Sequence, residues 1–382
     1  MREIKVTFKT LTPLWTGDAW RRCDEIRSSS IIGSLRFWFE VVCYFSGITN
    51  ETNYEDKGKE LKDNVEYVKF KGKILESGTN FDSVDKVLAE LGITLPSRIF
   101  GCTGWKGWVR IKRIEPIEDY CFGNRLNLPF GVVVKKDFSE IKELNNFRDL
   151  DKRNYSGWFF DKPYFYGKFT IVFEVEEGIL ESVFYPLLRF IEKYGFLGGK
   201  WNIGYGRVEI ESVDDDLWND KFTNKNDNEI EFNFDKTNFK KISELVKVEN
   251  VFSSSTQSYE FLKFFLGVDS FYCSNERDFR EKISNIPCDM RIAKLNDDFS
   301  DFQNAIKELL KIKATIRNCL RADSSIRDKQ KWHDFRHALL GTTSGGLEGT
   351  KIIPWIYEEN NELKGGFISI VGLLNLEGKE NG

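Results

Sequence analysis

The chain has 382 residues, a formal net charge of -4 and an aromatic share of 15% that includes 33 Phe. At roughly 100–200 residues per domain, the length suits two domains better than one, and the apolar content excludes global disorder. An acidic total is unlike that of a freestanding nucleic-acid binder, yet the field a ligand feels depends on how charge is distributed along the surface.

In chain order, Ile4-Lys5-Val6-Thr7-Phe8-Lys9 alternates with period two and predicts a strand. A polar loop follows over 16–27, with Gly17, Asp18 and the pair Arg21-Arg22. Ser28, Ser29 and Ser30 are N-cap candidates for a helix whose apolar stripe is Ile31, Leu35, Trp38, Val42 and Phe45. Gly33 inside that helix costs about 1 kcal/mol relative to Ala, which suggests close approach of another group. Residues 48–95 read as a charged, irregular insertion. Between 97 and 113 stand five basic residues (Arg98, Lys106, Arg110, Lys112, Arg113) and no acid, with an alternating strand at Trp108–Lys112.

Another strand is predicted at Phe169–Val175, then a helix at Ser182–Tyr194 that ends in a glycine loop spanning Gly195–Gly206. A short strand, Arg207–Glu211, leaves that loop. The acidic, Asn-rich stretch 213–228 is the linker candidate. Beyond it come a strand at Glu229–Phe234, helical patterns over 238–322, a helix at Trp332–Leu340 closed by Gly341, and a hairpin of Lys351–Tyr357 with Gly366–Leu374. Helices mix with antiparallel-looking strands in both halves, so the class is α+β. Two domains are expected, at 1–212 and 229–382.

Seven scattered cysteines without a C-x-x-C pair fit reduced thiols better than disulfides or zinc. The N-terminus lacks the apolar run of a signal peptide, and no stretch approaches the ~20 apolar residues of a membrane span. A cytoplasmic protein with no membrane partner is expected.

The glycine loop is the chemical lead. Phosphate loops of the dinucleotide and P-loop kinds sit between a strand and a following helix. Here the order is helix, loop, strand, so no nucleotide cofactor is expected, nor any other cofactor. Lys200, Trp201, Tyr205 and Arg207 alternate with Gly198, Gly199, Gly204 and Gly206. Exposed amides, cations and flat rings on one loop suit a sugar-phosphate chain with splayed bases, although glycines can equally serve tight turns alone.

Leu11-Thr-Pro-Leu-Trp15-Thr-Gly17 followed by Arg27-Ser-Ser-Ser-Ile31-Ile-Gly33-Ser-Leu-Arg36-Phe-Trp38 resembles the RAMP superfamily, and within it the subunit numbered one of type III-B (Cmr) CRISPR complexes. Arg98-Ile-Phe-Gly101-Cys-Thr-Gly104-Trp, the helix–glycine loop–strand element and Phe335–Gly341 add to that likeness. The resemblance implies two ferredoxin-like (RRM-like) domains with helical insertions. It also implies a place beside other RAMP subunits of the Cmr complex, contacts with the 3′ part of the CRISPR RNA and with the target RNA paired to it, and no nuclease activity. Glu40 stands where the family often has a basic residue, and Lys200-Trp201-Asn202 stands where its loop usually carries Arg.

Read onto chemistry, the helix start at Ser28–Ser30 offers amides and hydroxyls to a phosphate, with Arg21, Arg22 and Arg27 within reach of the same anion. Arg36 either joins them or pairs with Glu40 at i+4. Trp38 belongs to the core, whereas Trp15 is placed to stack on a base. Gly33, Gly198, Gly199, Lys200, Trp201 and Arg207 complete the expected RNA surface. His333 and His337 stand at i and i+4, but H-D-F-R-H is a poor zinc-protease pattern. A RAMP-type endoribonuclease using a histidine, or Mg²⁺ on Asp18, is the alternative, and no catalytic residue stands out.

Overall fold

The computed structural model describes residues 1–18, 20, 22–49, 64–118, 121–137, 139–146, 148, 154–224, 229–235, 238–268, 276–322, 329–341 and 349–374. The first alternating segment forms β1 (Arg2–Thr10), which buries Ile4, Val6 and Phe8 on one face. It lies between β3 (Lys168–Val175) and β4 (Val208–Val213), and β2 (Val109–Pro116) pairs with the outer side of β3. The order is β2-β3-β1-β4 with every neighbour antiparallel. With α1 (Ser28–Phe45) after β1 and α2 (Tyr185–Lys193) after β3, this half has the ferredoxin-like strand–helix–strand repeat.

The expected stripe holds α1 to the sheet: Ile31, Leu35, Trp38 and Val42 are each at most 1% exposed. Burying such side chains contributes about 1.5–3 kcal/mol each. Trp38 keeps its polar atom satisfied by donating Nε1–H to the Phe196 carbonyl at 3.0 Å. The helix expected from Ser182 begins as regular α-helix only at Tyr185, after a 3₁₀ turn (Glu177–Ile179) and a wider π turn (Leu180–Phe184). Pro186, in the first turn, suits a helix start because it has no N–H to donate there.

The second sheet runs β5 (Val246–Phe252), β6 (Met290–Phe299), β8 (Glu362–Ser369), β7 (Ile352–Glu359). The hairpin β7–β8 turns through Asn360 and Asn361, both at positive φ (55° and 64°), where Asn is tolerated better than most residues. Helices α3 (Ser258–Leu266), α4 (Phe302–Ala322) and α5 (Lys329–Leu340) accompany this sheet. β6 and β7 flank the antiparallel β8 as in the ferredoxin-like pattern. β5, however, runs parallel to β6, where that pattern has an antiparallel neighbour.

Four local expectations are corrected. The region 238–322 is not helical throughout: it supplies β5, β6 and the strand Asn238–Lys241. Val246-Lys-Val-Glu alternates with period two, but its charged residues and flanking helical patterns obscured the strand. The segment 48–95, where described, forms three helices, Asn64–Ser77, Phe81–Glu90 and Leu95–Phe100. The linker stretch contains the helix Asp216–Lys221, capped by Asp215 and seated by Trp218 against Tyr185. Finally, Ser28–Ser30 are the first helical residues rather than caps: the N-cap is Arg27, with no side-chain bond.

The halves share apolar packing. Phe232, fully buried, meets Phe39 of α1 and Phe190 of α2.

Candidate nucleic-acid interface

The glycine loop is held at both sides. Gly198 N–H donates to Ser34 Oγ on α1 at 2.9 Å, and Gly199 N–H donates to the Trp15 carbonyl at 2.8 Å. Gly198 has φ +74°, and a Cβ there would press on the Trp15 carbonyl, so a side chain is excluded twice over. The Trp15 indole lies against Gly17 and Gly199, which explains their lack of side chains. Lys200 adopts the left-handed conformation (φ 65°) and starts a 3₁₀ turn at Trp201–Ile203.

This packing leaves a crevice of about 290 Å³ between three segments: Trp15–Gly17, the first turns of α1 at Ser30, Gly33, Ser34 and Phe37, and the loop at Gly198, Gly199 and Trp201. Gly33 is exposed, and a Cβ built on it meets nothing within 4 Å, so its bare backbone keeps the crevice open. Trp201 packs at tilted angles among Phe37, Trp38 and Phe196 at ring distances of 5.1–6.0 Å. The indole N–H groups of Trp15 and Trp201 are buried with no hydrogen-bond partner. Each such donor costs about 1–3 kcal/mol until an acceptor arrives.

Phe37, Gly198, Gly199 and Trp201 also line a larger cavity of about 680 Å³ that reaches into the second half. Its cations are Lys200 from the loop, Lys313 and Arg317 from α4, Arg336 from α5, and Lys351 just before β7, with His337 beside them. Among the described residues, no Asp or Glu lines it. Together the crevice and cavity make a groove with aromatic and glycine walls at one end and basic walls at the other.

The expected site residues divide accordingly. Trp15, Ser30, Gly33, Gly198, Gly199, Lys200 and Trp201 line the groove. Ser28 and Ser29 are exposed at the helix start but belong to neither cavity wall. Arg21 lies outside the described residues. Arg22 pairs with Asp18 at 3.2 Å, and Arg27 is surrounded by Asp18, Asp24 and Glu25 at 3.8, 3.5 and 2.8 Å. Their charge is largely compensated locally.

Two expected phosphate contacts are corrected. Arg36 donates to Glu40 Oε1 (2.8 Å), the Gly101 carbonyl (2.6 Å) and Ser97 Oγ (3.0 Å), so it ties α1 to the Leu95–Phe100 helix. Arg207 is 1% exposed and gives its guanidinium to the carbonyls of Ile191, Glu192, Lys193 and Gly195 at the end of α2, and to Ile356 of β7. A helix C-terminus presents carbonyls without internal partners, and a cation there satisfies them. Burial nonetheless pushes the Arg207 guanidinium down to about 9.

Three of the five cations in the basic run 98–113 are held in ion pairs. Arg98 meets Asp85, Lys112 meets Glu3 and Arg113 meets Glu115. Sequence reading missed Phe37, Lys313, Arg317, Arg336 and Lys351. For Lys313 a signal existed: it falls in register with Ile306, Leu309, Ile316 and Leu320, the buried stripe of α4. The side chain of His333 lies outside the described set, whereas His337 faces the groove. Among the described residues no cluster of three or more His, Cys, Asp or Glu could hold a metal ion, and no helix is long and apolar enough to cross a membrane.

Compared with known proteins, residues 7–209 match the family described as the RAMP superfamily. No curated protein matches the chain in sequence. Similar solved structures include a crystal structure of Cmr1 from Pyrococcus furiosus in its apo form, at 12% identity and TM-score 0.36, covering 97% of this chain and 93% of that one. Another is a cryo-EM structure of the type III-B Cmr-beta complex bound to cognate target RNA and AMPPnP, at 13% identity and TM-score 0.35, covering 96% and 94%.

Proposed function

Because this chain belongs to the RAMP superfamily, matched over more than half its length, we propose that it is a structural subunit of a type III-B RNA-guided effector complex. In this reading it grips the 3′ part of the CRISPR RNA and its paired target in the groove, without cutting either. The observation that carries the proposal is the groove itself. Cations from both halves converge on walls that hold no carboxylate among the described residues, next to the rings of Phe37 and Trp201 and a glycine-lined crevice.

Each part has a physical role. Lys and Arg side chains neutralise phosphates and release counterions, while exposed rings accept unstacked bases regardless of sequence. Bare backbone at Gly33, Gly198 and Gly199 lets the strand approach closely. The likeness at 11–38 to the Cmr subunit supports the choice of complex.

The test is fluorescence anisotropy of a labelled single-stranded RNA against the full chain, with sister RAMP subunits offered in a pull-down. Arg317→Glu with Arg336→Glu should weaken binding roughly 100-fold, and the salt dependence should shallow by about 0.7 in slope for each phosphate no longer neutralised. Unchanged affinity would place the RNA elsewhere. Incubation with Mg²⁺ should yield intact RNA; products abolished by His337→Ala would favour a RAMP-type endoribonuclease instead.

A further inference from the structure

Lys313 occupies a position built for an apolar residue. It is 4% exposed, sits on the buried stripe of α4 and forms part of the groove wall. Its ammonium donates to the Asn202 carbonyl at 3.2 Å, and among the described residues it has no carboxylate partner. An ammonium carries three donors, and burying a charge without a counter-charge is costly. Such a group either gives up its proton or waits for an anion.

Among the described residues, the charged side chains that line the cavity with it are basic. Arg317 follows one turn along α4, Arg336 and His337 face in from α5, Lys351 precedes β7, and Lys200 comes from the glycine loop. Lys200 is itself paired with Asp161 at 2.5 Å. An anion entering here meets no carboxylate among the described wall residues and finds an incompletely satisfied donor at the bottom.

We propose that Lys313, with Arg317 at the rim, receives one phosphate group of the bound strand at the groove floor, and that docking draws a proton from solvent onto the lysine. The inference rests on the reading of the groove as an RNA-binding surface. The step moves one proton from water to Nζ and changes no other bond. Burial holds the free lysine down at about 7, so near neutral pH part of the population is uncharged. A phosphate favours the charged form and pulls the value back up. Binding and protonation then reinforce each other, since linked equilibria are reciprocal.

Isothermal titration of the full chain with a twelve-nucleotide single-stranded RNA at pH 8, in two buffers of different ionisation heat, counts the protons taken up. The wild type should take up about one proton per RNA, because a lysine titrating near neutrality is mostly uncharged at that pH. Its affinity should fall by up to about tenfold per pH unit between pH 7 and 9. Lys313→Arg, which stays charged, should bind with a flat pH profile and negligible uptake. Lys313→Met should bind about tenfold more weakly at pH 7, also without uptake. His337→Gln should retain the uptake.

Binding by the wild type with no proton uptake would overturn this proposal and leave the groove reading intact. Uptake that survives in both Lys313 variants, or vanishes in His337→Gln, would assign the proton elsewhere and overturn it too. No measurable RNA binding at any pH would overturn both readings.

Discussion

Arg207 and Lys313 are both cations buried at the join between the two halves, and they are treated in opposite ways. Arg207 meets five carbonyls and closes the end of α2 against β7. Lys313 meets a single carbonyl among the described residues and opens onto a basic cavity. The difference shows that burial alone does not distinguish a structural cation from a binding one; the number of acceptors around it does.

The sharpest way to break that contrast is to remove each cation. Arg207→Met leaves the end of α2 with unsatisfied carbonyls and should destabilise the protein by about 3–5 kcal/mol in chemical denaturation, a large share of a typical domain's stability. A loss under 1 kcal/mol would mean that Arg207 is no keystone. Charge reversal separates the two basic regions next. Arg317→Glu with Arg336→Glu should reduce RNA affinity roughly 100-fold, while Lys112→Glu with Arg113→Glu, on the paired run, should change it less than about fivefold. Equal effects would erase the distinction between the groove and the 98–113 run.

Lys313→Met should do the reverse of Arg207→Met. A lysine whose folded pKa lies below its unfolded value destabilises the fold fully at pH below the folded value, and the penalty fades as pH rises toward the unfolded one. With the folded value near 7, the variant should gain on the order of 2 kcal/mol at pH 6–7 and nothing near pH 10.5, read as a pH-dependent rise in Tm. A wild type more stable than the variant at pH 6 would contradict the account. The smallest effect is at Gly33. Ala there should add about 1 kcal/mol of helix stability with little effect on RNA, whereas Leu should fill the crevice and weaken RNA binding. Tight binding by the Leu variant would remove the crevice from the interface.

Much of the first half was legible because local rules agree there. The alternation of β1 and the four–three–four stripe of α1 appear in the structure within a residue or two. β5 was lost because charged residues and neighbouring helical patterns masked its alternation, and its parallel pairing with β6 is a tertiary fact. The groove was half legible. Glycines, Trp15, Lys200 and Trp201 declare themselves by clustering in sequence, but Lys313, Arg336 and Lys351 become neighbours only when the second half folds against the first. Arg36 took the i+4 pairing with Glu40 that its spacing allowed, whereas Arg207 misled because its partners are backbone carbonyls, which leave no mark in the sequence.

The most direct measurement is ultraviolet cross-linking of single-stranded RNA to the full chain, with peptides identified by mass spectrometry. Cross-links should concentrate at Phe37, at residues 198–202 and on α4 and α5 near Arg317 and Arg336. Cross-links confined to the paired basic run at 98–113, with the groove peptides untouched, would contradict the account.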